Sequence, residues 1–199
     1  KAAPNFESAG DANGDNDYVV EVTATDDGTG TLTATQTITI TVTDANDAPV
    51  ITTTSFTNID ENQTSIGTLG ATDADNDSII FSITGGADQS KFSAGGIGGS
   101  TLAFSGFTPD FESAADADSN GVYEVEITAT DNGTGALTDV QTVSVTIISV
   151  NEAPSITSSS TASVAENQTA AIDVNHSDVD TGDTITYTLT GSVDDALFN

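Results

Sequence analysis

The chain has 199 residues, with two basic side chains (Lys1 and Lys91) against 31 acidic ones, one His, no Arg, Cys, Met or Trp, and a formal net charge of −29. Phosphate recognition needs a basic surface, so nucleic acid and anionic membrane surfaces are excluded as partners. Without Cys there is no disulfide framework, Cys-type zinc site or Cys–His catalysis, and no apolar run approaches the roughly 18 residues of a membrane span. Apolar residues make up 36% of the chain and occur in runs of Val, Ile, Leu and Phe, unlike an acidic disordered tail.

In chain order, the first clear signal is an alternation of period two at Tyr18, Val20, Val22 and Ala24, followed by Ile38, Ile40 and Val42 set between threonines. The Asp27-Gly28 step between them reads as a hairpin turn. Shorter strands fit near Val50–Phe56, Ser65–Ala71, Ser78–Thr84 and Thr101–Phe107. The alternation then returns at Tyr123, Val125, Ile127 and Ala129, turns at Asn132-Gly133, and continues at Val143, Val145 and Ile147. One face of each run is apolar and the other carries Thr or Glu, the pattern of half-buried antiparallel strands. No segment has a helical period. About seven strands in about 100 residues predicts an all-β, immunoglobulin-like sandwich. Tyr18 and Tyr123, each opening a strand, read as core anchors rather than as stacking platforms for a ligand.

The two halves of this description are the same description. Asn5-Phe6-Glu7-Ser8 returns as Asp110-Phe111-Glu112-Ser113, Thr23-Ala24-Thr25-Asp26 as Thr128-Ala129-Thr130-Asp131, and Glu61-Asn62-Gln63-Thr64 as Glu166-Asn167-Gln168-Thr169, each 105 positions on. Asn46-Asp47-Ala48-Pro49 returns as Asn151-Glu152-Ala153-Pro154, and Asp73-Ala74-Asp75 as Asp178-Val179-Asp180. After one inserted residue, Phe81 and Phe92 reappear as Tyr187 and Phe198. Proline punctuates strand ladders, so residues 49–153 form one complete repeat, residues 1–48 the C-terminal half of a preceding one and residues 154–199 the N-terminal half of a following one. The chain starts without Met and shows no signal-peptide pattern, the expectation for a mature product or a slice of a longer array. Half-repeats alone expose an apolar face, which neighbouring copies of the repeat, in the same chain or in adjacent subunits, would cover.

The acidic residues sit at fixed phases of the repeat, mostly in loops and strand ends. Carboxylates within about 10 Å repel with little screening. A hard cation relieves this, and Ca²⁺ takes six to eight oxygens from carboxylates, Asn side chains and carbonyls. Zinc or copper would call for His or Cys.

The set of motifs resembles cadherin repeats of the kind found in large bacterial extracellular proteins. The matching residues are Glu61 after the first strand; Asp110 and Glu112; the Asp-X-Asp of Asp73 and Asp75; the Ala-X-Asp ending in Asp131, with Asp26 at the same phase one repeat earlier; and Asp44, Asn46 and Asp47 before Pro49. The resemblance covers nearly the whole chain and implies Greek-key sandwiches in tandem with Ca²⁺ at each junction. It implies one ligand set of Asn5, Glu7, Asp44, Asn46 and Asp47 with Asp73, Asp75 and Asp131. It implies a second of Glu61, Asp110, Glu112, Asn151 and Glu152 with Asp178 and Asp180. The departures are Asn5 where the family has Asp, Ser149 at the phase of Asp44, and Glu152 at the phase of Asp47, so the second junction is expected to hold fewer ions or to hold them less tightly. The Arg and Leu of the family's Leu-Asp-Arg-Glu segment are absent.

Three further features are open. The loop Asp116-Ala-Asp118-Ser-Asn120-Gly121 spaces oxygens like the start of an EF-hand loop, but the twelfth position is Ile127 rather than Glu and no helices flank it, so it is either a local Ca²⁺ loop or a solvated turn. His176, beside Asp178, reads as a surface residue. Asn62, Asn132 and Asn167 open glycosylation sequons. The functional expectation is a Ca²⁺-stiffened structural repeat of an extracellular bacterial adhesin or filament. The alternative is an adhesive or carbohydrate-binding module. No Ser/His/Asp constellation or isolated carboxylate pair suggests a hydrolase.

Overall fold

The structure is a computed structural model and describes residues 3–191, Asp194 and Leu197. Phe198, the counterpart of Phe92, lies outside the described residues.

Thirteen strands make up the described chain, with short 3₁₀ turns at Gln89–Lys91 and Ile97–Gly99. The strands are β1 (Asp17–Thr25), β2 (Thr33–Thr41), β3 (Val50–Ile51), β4 (Ser55–Asp60), β5 (Ser65–Thr68), β6 (Ala71–Thr72), β7 (Ile80–Gly85), β8 (Phe92–Gly95), β9 (Thr101–Phe104), β10 (Val122–Thr130), β11 (Thr138–Ile148), β12 (Ser155–Ile156) and β13 (His176–Ser177).

Between β3 and β11 lies a complete sandwich. One sheet has the order β4-β11-β10-β7, the other β5-β9-β8, and β3 pairs with β6. The β10–β11 ladder is antiparallel from Val122↔Thr146 to Thr130↔Thr138, so one side of it carries Tyr123, Val125, Ile127, Ala129, Val143 and Val145, all fully buried. From the other sheet Ile66, Phe92, Leu102 and Phe104 close over them. The Phe104 ring packs edge-on to Tyr123 at 5.2 Å and stacks on Phe92 at the same distance, geometries favoured by ring quadrupoles. Tyr123 is the buried anchor its position suggests, and its hydroxyl accepts the Ala115 N–H at 3.1 Å. Tyr18 makes the same bond with Gly10, at 3.0 Å.

The edges of the elements depart from the sequence reading at three places. The expected strand near Val50–Phe56 is two strands in different ladders: β3 runs antiparallel to β6, and after Thr52–Thr54 the chain changes sheets so that β4 runs parallel to β11. Gly70 O receives the Thr52 N–H at the change-over, and the Thr53 hydroxyl accepts the Gly70 N–H in return. Strand β8, with Phe92 as its one large apolar residue, has no alternation to reveal it. The hairpins do not turn tightly at Asp27-Gly28 and Asn132-Gly133. Each loop spans residues 26–32 or 131–137, and the left-handed residues are Gly30 and Thr31, or Gly135 and Ala136.

Strands β1 and β2 pair from Asp17↔Thr41 to Thr25↔Thr33 and repeat the phases of β10 and β11. The strands β12 and β13 pair as β3 and β6 do. At the phases where Val125, Ile127, Val143 and Val145 are fully buried, Val20, Val22, Ile38 and Ile40 are 44%, 49%, 41% and 54% exposed. The same amphipathic pattern is thus buried only where a second sheet covers it.

This difference sets the mutational expectation. Leu102→Ala removes a fully buried side chain and is expected to cost about 2–5 kcal/mol, whereas Ile38→Ala should fall within about 0.5 kcal/mol. Urea denaturation followed by the Tyr signal measures both, and equal effects would contradict this account of the core.

Candidate functional site

Two acidic clusters lie at the two ends of the complete sandwich, where the flanking segments enter and leave it. At the first, the segment between β2 and β3 passes the β6–β7 loop and the β10–β11 loop. Asp73 Oδ1 accepts the N–H groups of Asp75 at 3.0 Å and Asp77 at 3.1 Å, which winds the loop so that Asp73, Asp75 and Asp77 bring carboxylate oxygens within 4.8 Å of one another. Asp75 also groups within that distance with Glu7 and Asp44, and its Oδ2 accepts the Asp47 N–H at 2.7 Å. Asp131 is 4% exposed. Its Oδ1 takes the N–H groups of Gly133 and Leu137, and its Oδ2 the Asn46 amide at 3.1 Å. Gly133 is fixed here by crowding, because a Cβ would collide with the Asn46 and Asp77 side-chain oxygens. Asn5 Oδ1 caps the turn that carries Glu7 by accepting the Ser8 N–H at 2.6 Å.

The second cluster is built in the same way from the next phase of the repeat. Glu61, 3% exposed, accepts the Val150 N–H at Oε1 (2.8 Å) and the Phe111 N–H at Oε2 (2.7 Å). It lies with Glu112 and Glu152 in one group of oxygens within 4.8 Å. Asp110 caps the Glu112 turn through the Ser113 N–H at 2.7 Å, as Asn5 does one repeat earlier, so the turn itself needs no charge at that position. The Glu152 N–H reaches Asp180 Oδ2 at 2.7 Å, the counterpart of Asp47 on Asp75. Asp178 Oδ1 accepts the Asp180 N–H at 3.1 Å. Neutral donors add to this cluster: Ser149 Oγ donates to Asp180 Oδ1 at 3.3 Å and Asn62 Nδ2 to Glu152 Oε1. Asn151 is exposed and donates to the Glu152 carbonyl.

The electrostatics follow from this crowding. Burial pushes the Asp77 carboxyl above the usual carboxylate value, and the neighbouring Asp73, Asp131, Asp75 and Asp44 add to the effect. Burial also raises Glu152; the Asn62 amide pulls it back, and Glu61, Asp180 and Glu112 push it up further. Asp73 Oδ2, Asp178 Oδ2 and Glu152 Oε2 are buried with no hydrogen-bond partner among the described residues. Orphaned carboxylate oxygens in an all-oxygen donor set fit a hard cation such as Ca²⁺ and do not fit zinc or copper.

The remaining sequence candidates stand apart from these clusters. Asp26 organises its own hairpin loop, with Oδ1 accepting the Gly28 and Leu32 N–H groups. Asp116 is 6% exposed, and its two oxygens are engaged by the Asn120 N–H at 2.8 Å and the Gly121 N–H at 3.1 Å. The Asn120 amide bonds Asp118 at 2.9 Å. Burial alone would raise the Asp116 carboxyl, but these N–H groups and a side-chain bond with Asp118 hold it below its ordinary value. The alternate oxygens of this loop are therefore engaged by the loop itself. His176 Nδ1 lies 2.6 Å from the Tyr187 hydroxyl.

Asp77 and Asn62 belong to the clusters and are absent from the sequence candidates. Asp77 is the third acid at alternate positions after Asp73 and Asp75, but the one-residue insertion falls at this point of the repeat, with Gly182 standing 105 positions on and Asp183 106, which hides it from a search at a fixed spacing. Asn62 is visible only as a sequon and as the second residue of the repeated Glu-Asn-Gln-Thr motif. A third unexpected carboxylate, Asp88 at 2% exposure, ties the loop before β10 to the strand by accepting the Ala117 N–H at 2.8 Å and the Glu124 N–H at 2.9 Å.

No family model matches the chain, and no curated protein matches it. Among solved structures, it is similar to the extracellular cadherin domains 1-4 of protocadherin gamma B7, at 25% identity and a TM-score of 0.52 over 84% of this chain and 42% of that one. The EC3-6 cis-dimer structure of the same protocadherin matches at 24% identity, with a TM-score of 0.52 and coverage of 84% and 44%. Drosophila N-cadherin EC1-4 matches at 17% identity, with a TM-score of 0.53 and coverage of 88% and 44%. The chain spans less than half the length of these structures. Its fold is the all-β, immunoglobulin-like sandwich of cadherin extracellular domains.

The shifted carboxyls predict an inverted pH dependence. A raised acid weakens the fold while ionised, and this weakening is relieved as pH falls through its folded value. In EGTA, the melting temperature is therefore expected to rise as pH drops from neutral into the upper carboxylate range. It should fall again at lower pH, where Asp11 and Asp116, both held below the ordinary value, are protonated. Asp77→Asn should flatten the first limb, and a monotonic fall from neutral pH would contradict the assignment.

Proposed function

We propose that this chain is part of a tandem array of cadherin-like sandwiches whose junctions are cross-linked by Ca²⁺. The observation that carries the reading is the paired clamp at the two junctions: the Asp47 N–H on Asp75 and the Glu152 N–H on Asp180, each at 2.7 Å and each beside buried, unpartnered carboxylate oxygens. In this reading residues 1–48 complete one unit, residues 49–153 are a whole unit, and residues 154–199 begin the next.

Glu7, Asp44, Asn46, Asp47, Asp73, Asp75, Asp77 and Asp131 would hold cation at the first junction. Glu61, Glu112, Glu152, Asp178 and Asp180 would hold it at the second, with Asp110 and Asn151 at its rim. The cation supplies positive charge that cancels the repulsion between the two sides of each junction. The protein groups keep the units in register: Glu61 anchors two backbone segments at once, and Asp75 and Asp180 each hold the incoming linker. Such an array is a structural and adhesive element of an extracellular protein, with further copies of the same repeat as its partners. The cis-dimer reported for the protocadherin match supports self-association as its mode of contact. The reading involves no catalysis.

Calorimetric titration with Ca²⁺ is the test. Extracellular modules bind at about 10⁻⁴–10⁻³ M, and at one hundred times the dissociation constant the expected stabilisation is about 2.7 kcal/mol per site. Asp75→Asn should weaken the first junction alone and Asp180→Asn the second alone. X-ray scattering should show a longer, stiffer particle with Ca²⁺ than with EGTA. Unchanged melting and scattering on adding Ca²⁺ would reject the reading.

A further inference from the structure

Four steps in the chain place glycine directly after Asn or Asp: Asn13-Gly14, Asp27-Gly28, Asn120-Gly121 and Asn132-Gly133. Such steps are chemical weak points, because a glycine nitrogen without a neighbouring Cβ readily attacks the preceding side-chain carbonyl. In each of the four, the glycine N–H is donated to the carboxylate of a nearby Asp. Gly14 bonds Asp11 Oδ2 at 2.8 Å, Gly28 bonds Asp26 Oδ1 at 3.2 Å, Gly121 bonds Asp116 Oδ1 at 3.1 Å and Gly133 bonds Asp131 Oδ1 at 3.0 Å. The Asn side chains are held as well. Asn13 donates to Asp15, Asn120 bridges Asp118 and the Val122 N–H, and Asn132 accepts the Ser78 N–H.

We propose that Asp11, Asp26, Asp116 and Asp131 shield these four steps against succinimide formation and so against deamidation and isoaspartate. The reaction requires the glycine nitrogen to give up its proton and form a bond to the side-chain Cγ. The Cγ–N bond of Asn then breaks and ammonia leaves; at Asp27 the group lost is water. A water molecule opens the five-membered imide to Asp or, through the other carbonyl, to isoaspartate, whose backbone is one methylene longer. A carboxylate that accepts the glycine N–H stabilises the protonated amide and repels the negative charge that must develop on nitrogen for attack.

The need for shielding arises because glycine is structurally required at three of these places. Gly14 and Gly121 have φ of 77° and 78°, a region that disfavours other residues, and a Cβ on Gly133 would run into Asn46 and Asp77. At Gly133 the lengthened backbone of isoaspartate would also push the turn into the first junction. Each Asp is thus a positioning residue for the backbone nitrogen of its own turn, a role that does not depend on cation binding.

The full chain is incubated at neutral pH and 37 °C. Deamidation at Asn13, Asn120 and Asn132 is followed by peptide mass spectrometry, and isoaspartate at Asp27 by methyltransferase labelling. Asp116→Ala is expected to accelerate conversion at Asn120 by about tenfold or more, the rate equivalent of one hydrogen bond to a charged acceptor. Asp116→Asn, which keeps an acceptor but no charge, should give a smaller increase. Asn13 and Asn132 report in the same digests and should keep their original rates. The unsubstituted chain supplies the second measurement: all four steps should convert more slowly when folded than in urea. An unchanged Asn120 rate in Asp116→Ala, or native rates equal to those in urea, would overturn the proposal.

Discussion

Carboxylates in this chain have few cations to pair with, two basic side chains against 31 acids, and the backbone N–H takes their place. Asp88, Asp116, Asp131 and Glu61 are the buried cases, and each accepts at least two backbone N–H groups. A hydrogen bond to a charged group is worth about 1.5–3 kcal/mol, and an unsatisfied buried carboxylate costs more than that. The loops of the sandwich are accordingly wound around acids. Asp131 closes the β10–β11 loop, Asp88 pins the chain entering β10, and Glu61 fastens the β4 exit to both Phe111 and Val150. A fold with this composition holds its loops through Asp and Glu or does not hold them.

The same interaction divides the acids into two populations. Where one carboxylate sits alone in a cage of N–H groups, as at Asp116, ionisation is favoured and the group is structurally complete. Where the loops converge, N–H groups run short. Asp73 uses one oxygen to wind its loop and leaves the other buried without a partner, and Asp178 repeats this one unit later. Asp77 and Glu152, which lose solvent and face several carboxylates, bear the strain as raised proton affinity. Crowding at the junctions is therefore a by-product of making the loops from acids, and the two junctions relieve it differently. The second has Ser149 and Asn62 as neutral donors to Asp180 and Glu152. The first has Asp44 at the phase of Ser149 and gains a further acid in Asp77. It carries more uncompensated carboxylate charge.

Strand alternation and the 105-residue repeat make most of this legible from the sequence. The paired strands β10 and β11 alternate strictly because one face is fully buried, and the acids that converge recur at fixed phases because the loops that hold them recur. Legibility fails where those regularities fail. The β3–β4 crossing between sheets depends on hydrogen bonds of Thr52 and Thr53 with Gly70 that no periodicity encodes. Asp77 sits where a one-residue insertion breaks the 105-residue spacing, and Asp88 acts on a segment 29 positions away. The Asp116 loop is the instructive case: alternate oxygens look alike whether they await a cation or accept the loop's own N–H groups, and only the fold distinguishes the two.

Asp131 serves in both settings at once. Its Oδ1 holds Gly133 and Leu137, and its Oδ2 holds Asn46 across the junction. Removing the side chain would release the hairpin loop, free the Gly133 N–H and unfasten the linker together. Asp26, at the same phase one repeat earlier, makes only the two local bonds, and β1 and β2 still form a regular nine-rung ladder. The local role of this Asp is thus sufficient to make the hairpin. Its role at the junction adds a bond on an oxygen the hairpin does not need, so the junction could be built without altering the turn beneath it.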